Sequence, residues 1–167
     1  PIYYAALSER GYFGEKIEDF KLRALGSKFQ GHPVMNKTKG VDMTSGSLGN
    51  GISIAGGMAL AGKYRRKDYN VYVIAGDGEL QEGVCWEGIN SAAAHKLDNL
   101  IVFVDKNGWQ SGASVQETIG SNNIKERFEA SSGMPRRLTA TTRTRSKRPL
   151  QKQKRQRENQ VSLYATV

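Results

Sequence analysis

Two uninterrupted apolar runs dominate the hydrophobic pattern of the chain and predict buried β-strands. Residues 70–75 read NVYVIA and residues 100–104 read LIVFV, with the β-branched and aromatic composition of strands. Residues 83–95 between them read as a helix, so the order predicts a parallel strand–helix–strand unit with a right-handed crossover. Runs that are apolar at every position suit strands covered on both faces. The expected fold class is α/β, a parallel sheet with helices on both faces, here incomplete.

The pattern before the first strand predicts helices separated by a long loop. Residues 4–13 and 15–24 read as two short helices, and the small apolar residues 52–64 read as a tightly packed one. The intervening residues 26–51 are rich in Gly, Ser and Thr without periodicity, which is typical of a loop. The periodicity stops after Phe128.

Charge divides the chain at about residue 130. The formal net charge is +9, yet residues 1–130 hold 15 Lys and Arg against 15 Asp and Glu. The imbalance lies in residues 131–167, with 10 basic residues and one acid, so the net charge does not identify a partner for the first part. We expect an α/β module over 1–130 that is truncated at its N-terminus. Over 131–167 we expect a disordered basic tail, because its few apolar residues cannot offset the entropy of ordering.

Cysteine content and hydropathy exclude several classes of protein. The lone Cys85 argues against a disulfide framework and fits a reducing, cytoplasmic location. No run of about 18 apolar residues predicts a membrane span, and no secretory signal opens the sequence. The chain begins at Pro1 rather than Met, so we expect a fragment whose upstream part is missing.

Polar motifs stand at the ends of both predicted strands. GDG, residues 76–78, follows the first strand, and DKN, ending at Asn107, follows the second. Ligands of open parallel sheets bind at the carboxyl ends of strands, so Asp77 and Asn107 can face each other there. Their oxygens suit Mg²⁺, and Gly76 and Gly78 let the backbone approach a diphosphate closely. Taken singly, each motif is better interpreted as a tight turn or bend. Their pairing at the ends of consecutive strands favours a metal–diphosphate site.

The residues around these motifs carry a family resemblance. GSKFQGHP, TSGSLGNGISIAGGMALAGKY and GDGELQEGVCWEGINSAAAHKLDNLIVFVDKNG together resemble the diphosphate-binding N-terminal part of transketolases, specifically the N-terminal subunit of split transketolases. The resemblance covers about residues 1–130. Enzymes of the 2-oxo acid dehydrogenase and deoxyxylulose phosphate synthase types share GDG but lack LQEG with GHP upstream. The resemblance implies thiamine diphosphate as cofactor, with Mg²⁺ (or Ca²⁺) as its metal.

The resemblance also implies roles for individual residues. Asp77 and Asn107 bind the metal together with the backbone carbonyl of Trp109. His32 of GHP points toward the donor ketose, and Glu82 of LQEG joins a carboxylate network between active sites; these two are the implied catalytic residues. The residues implied to contact the cofactor are Gly46 (through its carbonyl), Leu48, Gly76 (through its N–H), Asp77, Gly78 and Asn107.

Four other positions complete this interpretation. Ser47, Asn50 and Lys106 stand where the family often has Pro, Gln, and Asn or Arg, respectively. Glu79 is interpreted as a solvated acid in the first turn of a helix, a position that the helix dipole favours.

The implied activity is the transfer of a two-carbon ketol unit from a ketose phosphate to an aldose phosphate, with thiamine diphosphate supplying the electron sink. The glutamate that activates the cofactor's pyrimidine ring belongs to a pyrimidine-binding domain that this sequence lacks. We therefore expect the partner to be a pyrimidine-binding C-terminal part or subunit, in a dimer or higher assembly. We also expect sugar-phosphate substrates, no membrane association and no activity of the fragment alone. The alternative within this cofactor class is the corresponding half of another thiamine diphosphate enzyme.

The tail has two interpretations of its own. A single shift of reading frame lets residues 139–146 read DGHDPDAI, residues 147–157 an Ala/Glu/Lys-rich helix, and residues 158–164 GKPSFLV, an order that resembles transketolases. The change of frame would lie within about Ala130–Gly133. The other interpretation is a non-catalytic basic arm for nucleic acid, which we do not favour because Tyr164 is the only aromatic residue there for base stacking.

Overall fold

The computed structural model describes residues 1–120, 123–132, 137–142 and 161–166. Within them the helices are α1 (Ile2–Glu9), α2 (Asn50–Tyr64), α3 (Gly83–Ala94), α4 (Val115–Thr118) and α5 (Ile124–Ser132). The strands are β1 (Val71–Gly76), β2 (Leu100–Lys106), β3 (Arg137–Thr142) and β4 (Val161–Thr166), and 3₁₀ turns span Ile17–Asp19 and Glu79–Gln81. The chain divides into two compact units, Pro1–Ser47 and Leu48–Val167. No helix among the described residues has both the length and the apolar character to span a membrane.

The first unit is built around a small aromatic cluster. Tyr4 and Phe29 are buried there, and the rings of Phe20 and Phe29 stack with their centroids 4.2 Å apart. The helix predicted over residues 15–24 is wrong, because only the turn at Ile17–Asp19 forms. Phe13, before this turn, and Phe20, directly after it, both pack against Phe29. Arg23 adopts φ 60°, a left-handed conformation that a continuing helix does not allow.

The second unit contains the predicted strand–helix–strand unit. Strands β1 and β2 pair in parallel, from Val71 opposite Leu100 to Gly76 opposite Asp105, and α3 connects them. One face of the pair packs with α2, α3 and α5 around a core whose fully buried members include Ile52, Ile89 and Val102. The α/β class predicted from the sequence is therefore confirmed.

The opposite face of the sheet is open in the part of the chain that the structure describes. Tyr72 is 62% and Ile74 79% exposed, although both lie in the apolar run that predicted a strand covered on both faces. The ring of Tyr72 stacks with that of Phe103, with centroids 6.3 Å apart. The described helices thus pack against one face of β1 and β2.

Two strands are described within residues 131–167, for which the sequence predicts disorder. Strand β4 pairs antiparallel with β2, and β3 pairs antiparallel with β4, giving the order β1-β2-β4-β3. The edge of β2 that faces away from β1 is therefore paired. The open backbone groups of an edge strand attract another strand, and RLTATT and VSLYAT contain the β-branched and aromatic residues that strands favour. Residues 133–136, 143–160 and 167, which share that expectation, lie outside the described residues.

Candidate functional site at the strand ends

Asp77 is a buried carboxylate at the carboxyl end of β1. It is 4% exposed, and its N–H donates to the carbonyl of Asp105 at the end of β2 (3.2 Å). Its Oδ1 accepts from the N–H of Gly78 (3.0 Å), and its Oδ2 accepts from the N–H of Gly108 (2.9 Å). The carboxylate thus joins the end of β1 to the loop after β2, as the parallel pairing predicts. A carboxylate has about four lone-pair positions, so Asp77 keeps acceptor capacity for a cation.

Asn107 lies next to the residue that Asp77 contacts, but its side chain turns to its own loop. Its Nδ2 donates to Asp105 Oδ2 (3.0 Å), and its Oδ1 accepts from the N–H of Trp109 (2.8 Å). Trp109 is 56% exposed and forms an isolated antiparallel bridge with Ser114. The loop of Asn107 and Trp109 is therefore brought to Asp77 through its backbone, at Gly108.

A metal at this position needs more than carboxylates. The described residues contain no cluster of three or more His, Cys, Asp and Glu side chains that could hold a metal ion. A Mg²⁺ ion bound by Asp77 would take its other ligands from amide and backbone oxygens, water or phosphate. This donor set is the usual one for Mg²⁺ beside a diphosphate, so the residues present fit the ion.

Glu79 is not the solvated acid that the sequence predicted. Its Oε1 accepts from the N–H of Gly49 (2.8 Å), immediately before α2, and its Oε2 accepts from the N–H of Gly76 (3.2 Å), at the end of β1. The N–H of Gly76, expected to meet a diphosphate, is therefore already donated within the chain. The prediction for Glu79 failed because both partners are backbone groups, which leave no pattern in the sequence.

The turn that enters α2 lies against the 3₁₀ turn at Glu79–Gln81 and the start of α3. Gly49 has φ 85°, and a Cβ built there would lie 2.6 Å from Cγ1 of Val84 and 3.1 Å from Cβ of Glu82. Leu48, on this turn, is 59% exposed, and Glu82 is also exposed. The structure thus brings Glu82 to the turn of Leu48 and Gly49 and leaves both side chains accessible.

Gln110 is a residue that the sequence did not single out. A Cβ built on Gly78 would lie 2.8 Å from Gln110 Oε1 and 2.9 Å from its Cβ. Gly78 therefore has no room for a side chain, because the Gln110 side chain from the loop after β2 occupies that space whether or not a ligand is bound.

His32 and Gly46 meet within the first unit. A Cβ built on Gly46 would lie 3.5 Å from Cγ of the His32 imidazole, and His32 is exposed. The N–H of Ser45 donates to the carbonyl of Pro33 (3.1 Å), which holds the two segments side by side. The GHP motif and the loop of Gly46 thus form one local surface.

Cys85 lies behind the site and is chemically protected. Burial, together with the charges of Glu79 and Glu82, raises the pKa of its thiol to about 11. Its Sγ lies 3.2 Å from the carbonyl of Glu79. Cys85 is thus a protonated packing residue at neutral pH.

Comparisons with known proteins give matches in sequence and in fold. The family described as "Transketolase, thiamine diphosphate binding domain" matches residues 2–157. A subunit of the apulose-4-phosphate transketolase of Actinobacillus succinogenes is 40% identical over 128 residues, which are 77% of this chain and 46% of that protein. Human transketolase is 46% identical over 108 residues, 64% of this chain and 17% of that protein. This chain thus spans less than half of either relative.

A solved structure shows the same fold. The transketolase of Pichia stipitis, solved as variant proteins and in complex with xylulose 5-phosphate, superposes on this chain with a TM-score of 0.70. The two sequences are 33% identical. The match covers 78% of this chain and 21% of that protein.

Proposed function

The chain belongs to the transketolase family, as a thiamine diphosphate-binding domain of the N-terminal subunit type, and we propose that it holds the cofactor's diphosphate and Mg²⁺ for ketol transfer. The reaction moves a two-carbon ketol unit from a ketose phosphate to an aldose phosphate. The cofactor supplies the electron sink, and the protein supplies binding, orientation and electrostatics.

The observation that carries this proposal is the position of Asp77. Its carboxylate is buried at the carboxyl end of a parallel strand and bonded to the loop after the neighbouring strand. A buried carboxylate is costly unless it is paired, and its two hydrogen bonds come from neutral N–H groups. A bound Mg²⁺ would offset the remaining cost of burying the charge of Asp77. Asn107 and the carbonyl of Trp109 are the proposed further protein ligands.

The other proposed contacts divide between cofactor and substrate. Leu48 and Gly46 line the cofactor, and Gly78 allows the backbone of the GDG turn to approach the diphosphate. His32 is proposed to contact the donor ketose, which its exposed ring beside Gly46 permits. Glu82 is proposed to join carboxylates of a partner, and its exposure leaves it available for that contact.

A pyrimidine-binding part must complete the site. Two relatives bear names of transketolase subunits: one belongs to the apulose-4-phosphate transketolase of Actinobacillus succinogenes, and the other is the 6-deoxy-6-sulfo-D-fructose transketolase subunit SqwG of a Clostridium species. We propose that this chain likewise pairs with a pyrimidine-binding part in a dimer or higher assembly, located in the cytoplasm.

Cofactor binding by an Asp77→Asn variant tests the proposal. The full chain is mixed with a pyrimidine-binding transketolase subunit, and the affinity for thiamine diphosphate with Mg²⁺ is measured by calorimetry. Loss of the metal-binding charge should weaken cofactor binding about 100-fold, or roughly 3 kcal/mol. Asp68→Asn is the matched control, because Asp68 is exposed before β1, at the other end of the strand, and should bind as the wild type does.

Two results would refute the proposal. Equal affinities of Asp77→Asn and wild type would remove Asp77 from the metal site. A wild-type assembly that binds the cofactor but decarboxylates a 2-oxo acid, rather than transferring a ketol unit, would assign it to another class of thiamine diphosphate enzyme.

A further inference from the structure

We propose that Glu79 is a positioning residue that ties together the two glycine turns flanking the diphosphate site. This inference rests on the proposed function, because it concerns how the cofactor's binding surface is held. The turn at Gly49 leads from Leu48 into α2, and the turn at Gly76 leads from β1 into Asp77. The Glu79 carboxylate accepts one hydrogen bond from each, at 2.8 Å and 3.2 Å.

The N-terminus of α2 needs an acceptor that its own sequence does not supply. The residue before the helix is Gly49, which has no side chain to cap this end, and the first turn contains no acid. The first N–H groups of a helix lack partners within it, and negative charge is favourable there. Glu79 supplies both the acceptor and the charge from a neighbouring turn.

The backbone of Glu79 is held firmly enough to serve as an anchor. Leu80, the next residue, is 1% exposed, and its carbonyl accepts from Nε1 of Trp86 (2.8 Å). The carbonyl of Glu79 accepts from the N–H of Glu82 (3.0 Å). The short turn is thus fixed to the start of α3, and the carboxylate reaches from it to α2 and β1.

The bridge changes the role expected for Gly76. Its N–H serves Glu79, so a diphosphate that took this donor would have to displace the carboxylate. Displacement would break two charge-assisted hydrogen bonds and leave a carboxylate beside a polyanion. We infer that Glu79 stays in place and that the diphosphate uses Mg²⁺ and other groups of the same turns.

Amide hydrogen exchange on the full chain without cofactor tests the bridge directly. In Glu79→Ala the amides of Gly49 and Gly76 should both exchange about tenfold faster or more, since both lose their acceptor. In Glu79→Gln one side-chain oxygen remains, so only one of the two amides should accelerate. Glu79→Asp keeps the charge but is one methylene shorter, and at least one amide should accelerate. Glu9→Gln, at an exposed position of α1, is the matched control and should change neither amide.

Cofactor affinity tests the consequence. With Mg²⁺ and a pyrimidine-binding subunit present, Glu79→Ala and Glu79→Asp should bind thiamine diphosphate about 10- to 100-fold more weakly, as for other supporting residues of metal sites. Glu79→Gln should lie between them and wild type, because it retains one of the two bonds.

Each contrary outcome has a distinct meaning. Tighter binding by Glu79→Ala would show that the carboxylate competes with the diphosphate, and wild-type affinity in Glu79→Asp would show that charge alone matters; both overturn the positioning role. Wild-type exchange at both glycine amides in all three variants would overturn the bridge. No cofactor binding by the wild-type assembly would refute the proposed function, and with it the role of Glu79 toward the cofactor. Equal affinities of wild type and all three variants would refute the role of Glu79 alone.

Discussion

Replacing Gly88 by alanine should force α2 and α3 apart. Gly88 lies on α3, and a Cβ built there would lie 2.6 Å from Oγ of Ser53 on α2. The same Cβ would lie 3.1 Å from the backbone nitrogen of Ser53 and 3.3 Å from its Cα. Rotation of the Ser53 side chain relieves the first contact only, so the second and third require the helices to separate.

The expected cost follows from two opposing terms. Overpacking a closely packed contact costs about 1–3 kcal/mol, and the high end applies because Ile52 and Ile89, the chain neighbours of Ser53 and Gly88, are fully buried. Alanine gains about 1 kcal/mol over glycine in a helix interior. The variant should therefore lose about 2 kcal/mol of unfolding free energy.

Urea denaturation of the full chain, followed by tryptophan fluorescence, measures this loss. Gly57→Ala on α2 is the matched control, because a Cβ there meets nothing within 4 Å and should stabilise by up to about 1 kcal/mol. The double variant Ser53→Ala/Gly88→Ala removes only the contact that rotation of Ser53 already relieves, so it should stay less stable than Ser53→Ala by about 2 kcal/mol. A Gly88→Ala protein as stable as Gly57→Ala, or a double variant as stable as Ser53→Ala, would refute the proposed packing.

Three further substitutions or reactions test other parts of the second unit. Gly49→Ala should cost more than about 2 kcal/mol in the same assay, because φ is 85° and the new Cβ lies 2.6 Å from Val84; equal stability would contradict the turn geometry. Phe128→Ala should cost about 3–5 kcal/mol, because Phe128 is 1% exposed and meets Trp86 edge-on at 5.3 Å. A cost no larger than that of exposed Ile119→Ala would show that α5 does not dock on α3. Iodoacetamide at pH 8 should alkylate Cys85 at least about 100-fold more slowly in the folded chain than in the urea-unfolded chain. Only the thiolate reacts, and burial raises the thiol pKa to about 11 in the folded chain. Comparable alkylation rates would contradict the burial of Cys85.

The strands and the helix between them were predictable because local sequence decides them. Both apolar runs became parallel strands in the expected order. What covers each face was not predictable: a run that is apolar at every position does not reveal whether its second face is filled by the same chain. Tyr72 and Ile74 illustrate this, since their apolar side chains are largely exposed.

The site was predictable where strand topology alone determines it. Asp77 had to approach the loop after β2, because parallel neighbours end at the same edge of the sheet. The side chain of Asn107 was not predictable, since its hydrogen bonds with Asp105 and Trp109 are local choices of a loop. Glu79 was missed for a different reason: one of its two donors lies 30 residues upstream and is a backbone N–H.

The prevalence of backbone partners means that the contacts of Asp77 and Glu79 do not depend on the identity of neighbouring side chains. The contacts of Asp77 and Glu79 are made with N–H groups of Gly49, Gly76, Gly78 and Gly108, so they depend on the path of the chain. Ser47, Asn50 and Lys106, where the resemblance implies departures from the family pattern, are all exposed. Substitution there leaves the chain path intact, whereas a side chain at Gly49 or the loss of either carboxylate would change it. The strictest sequence requirements of the site therefore lie at its glycines and its two acids.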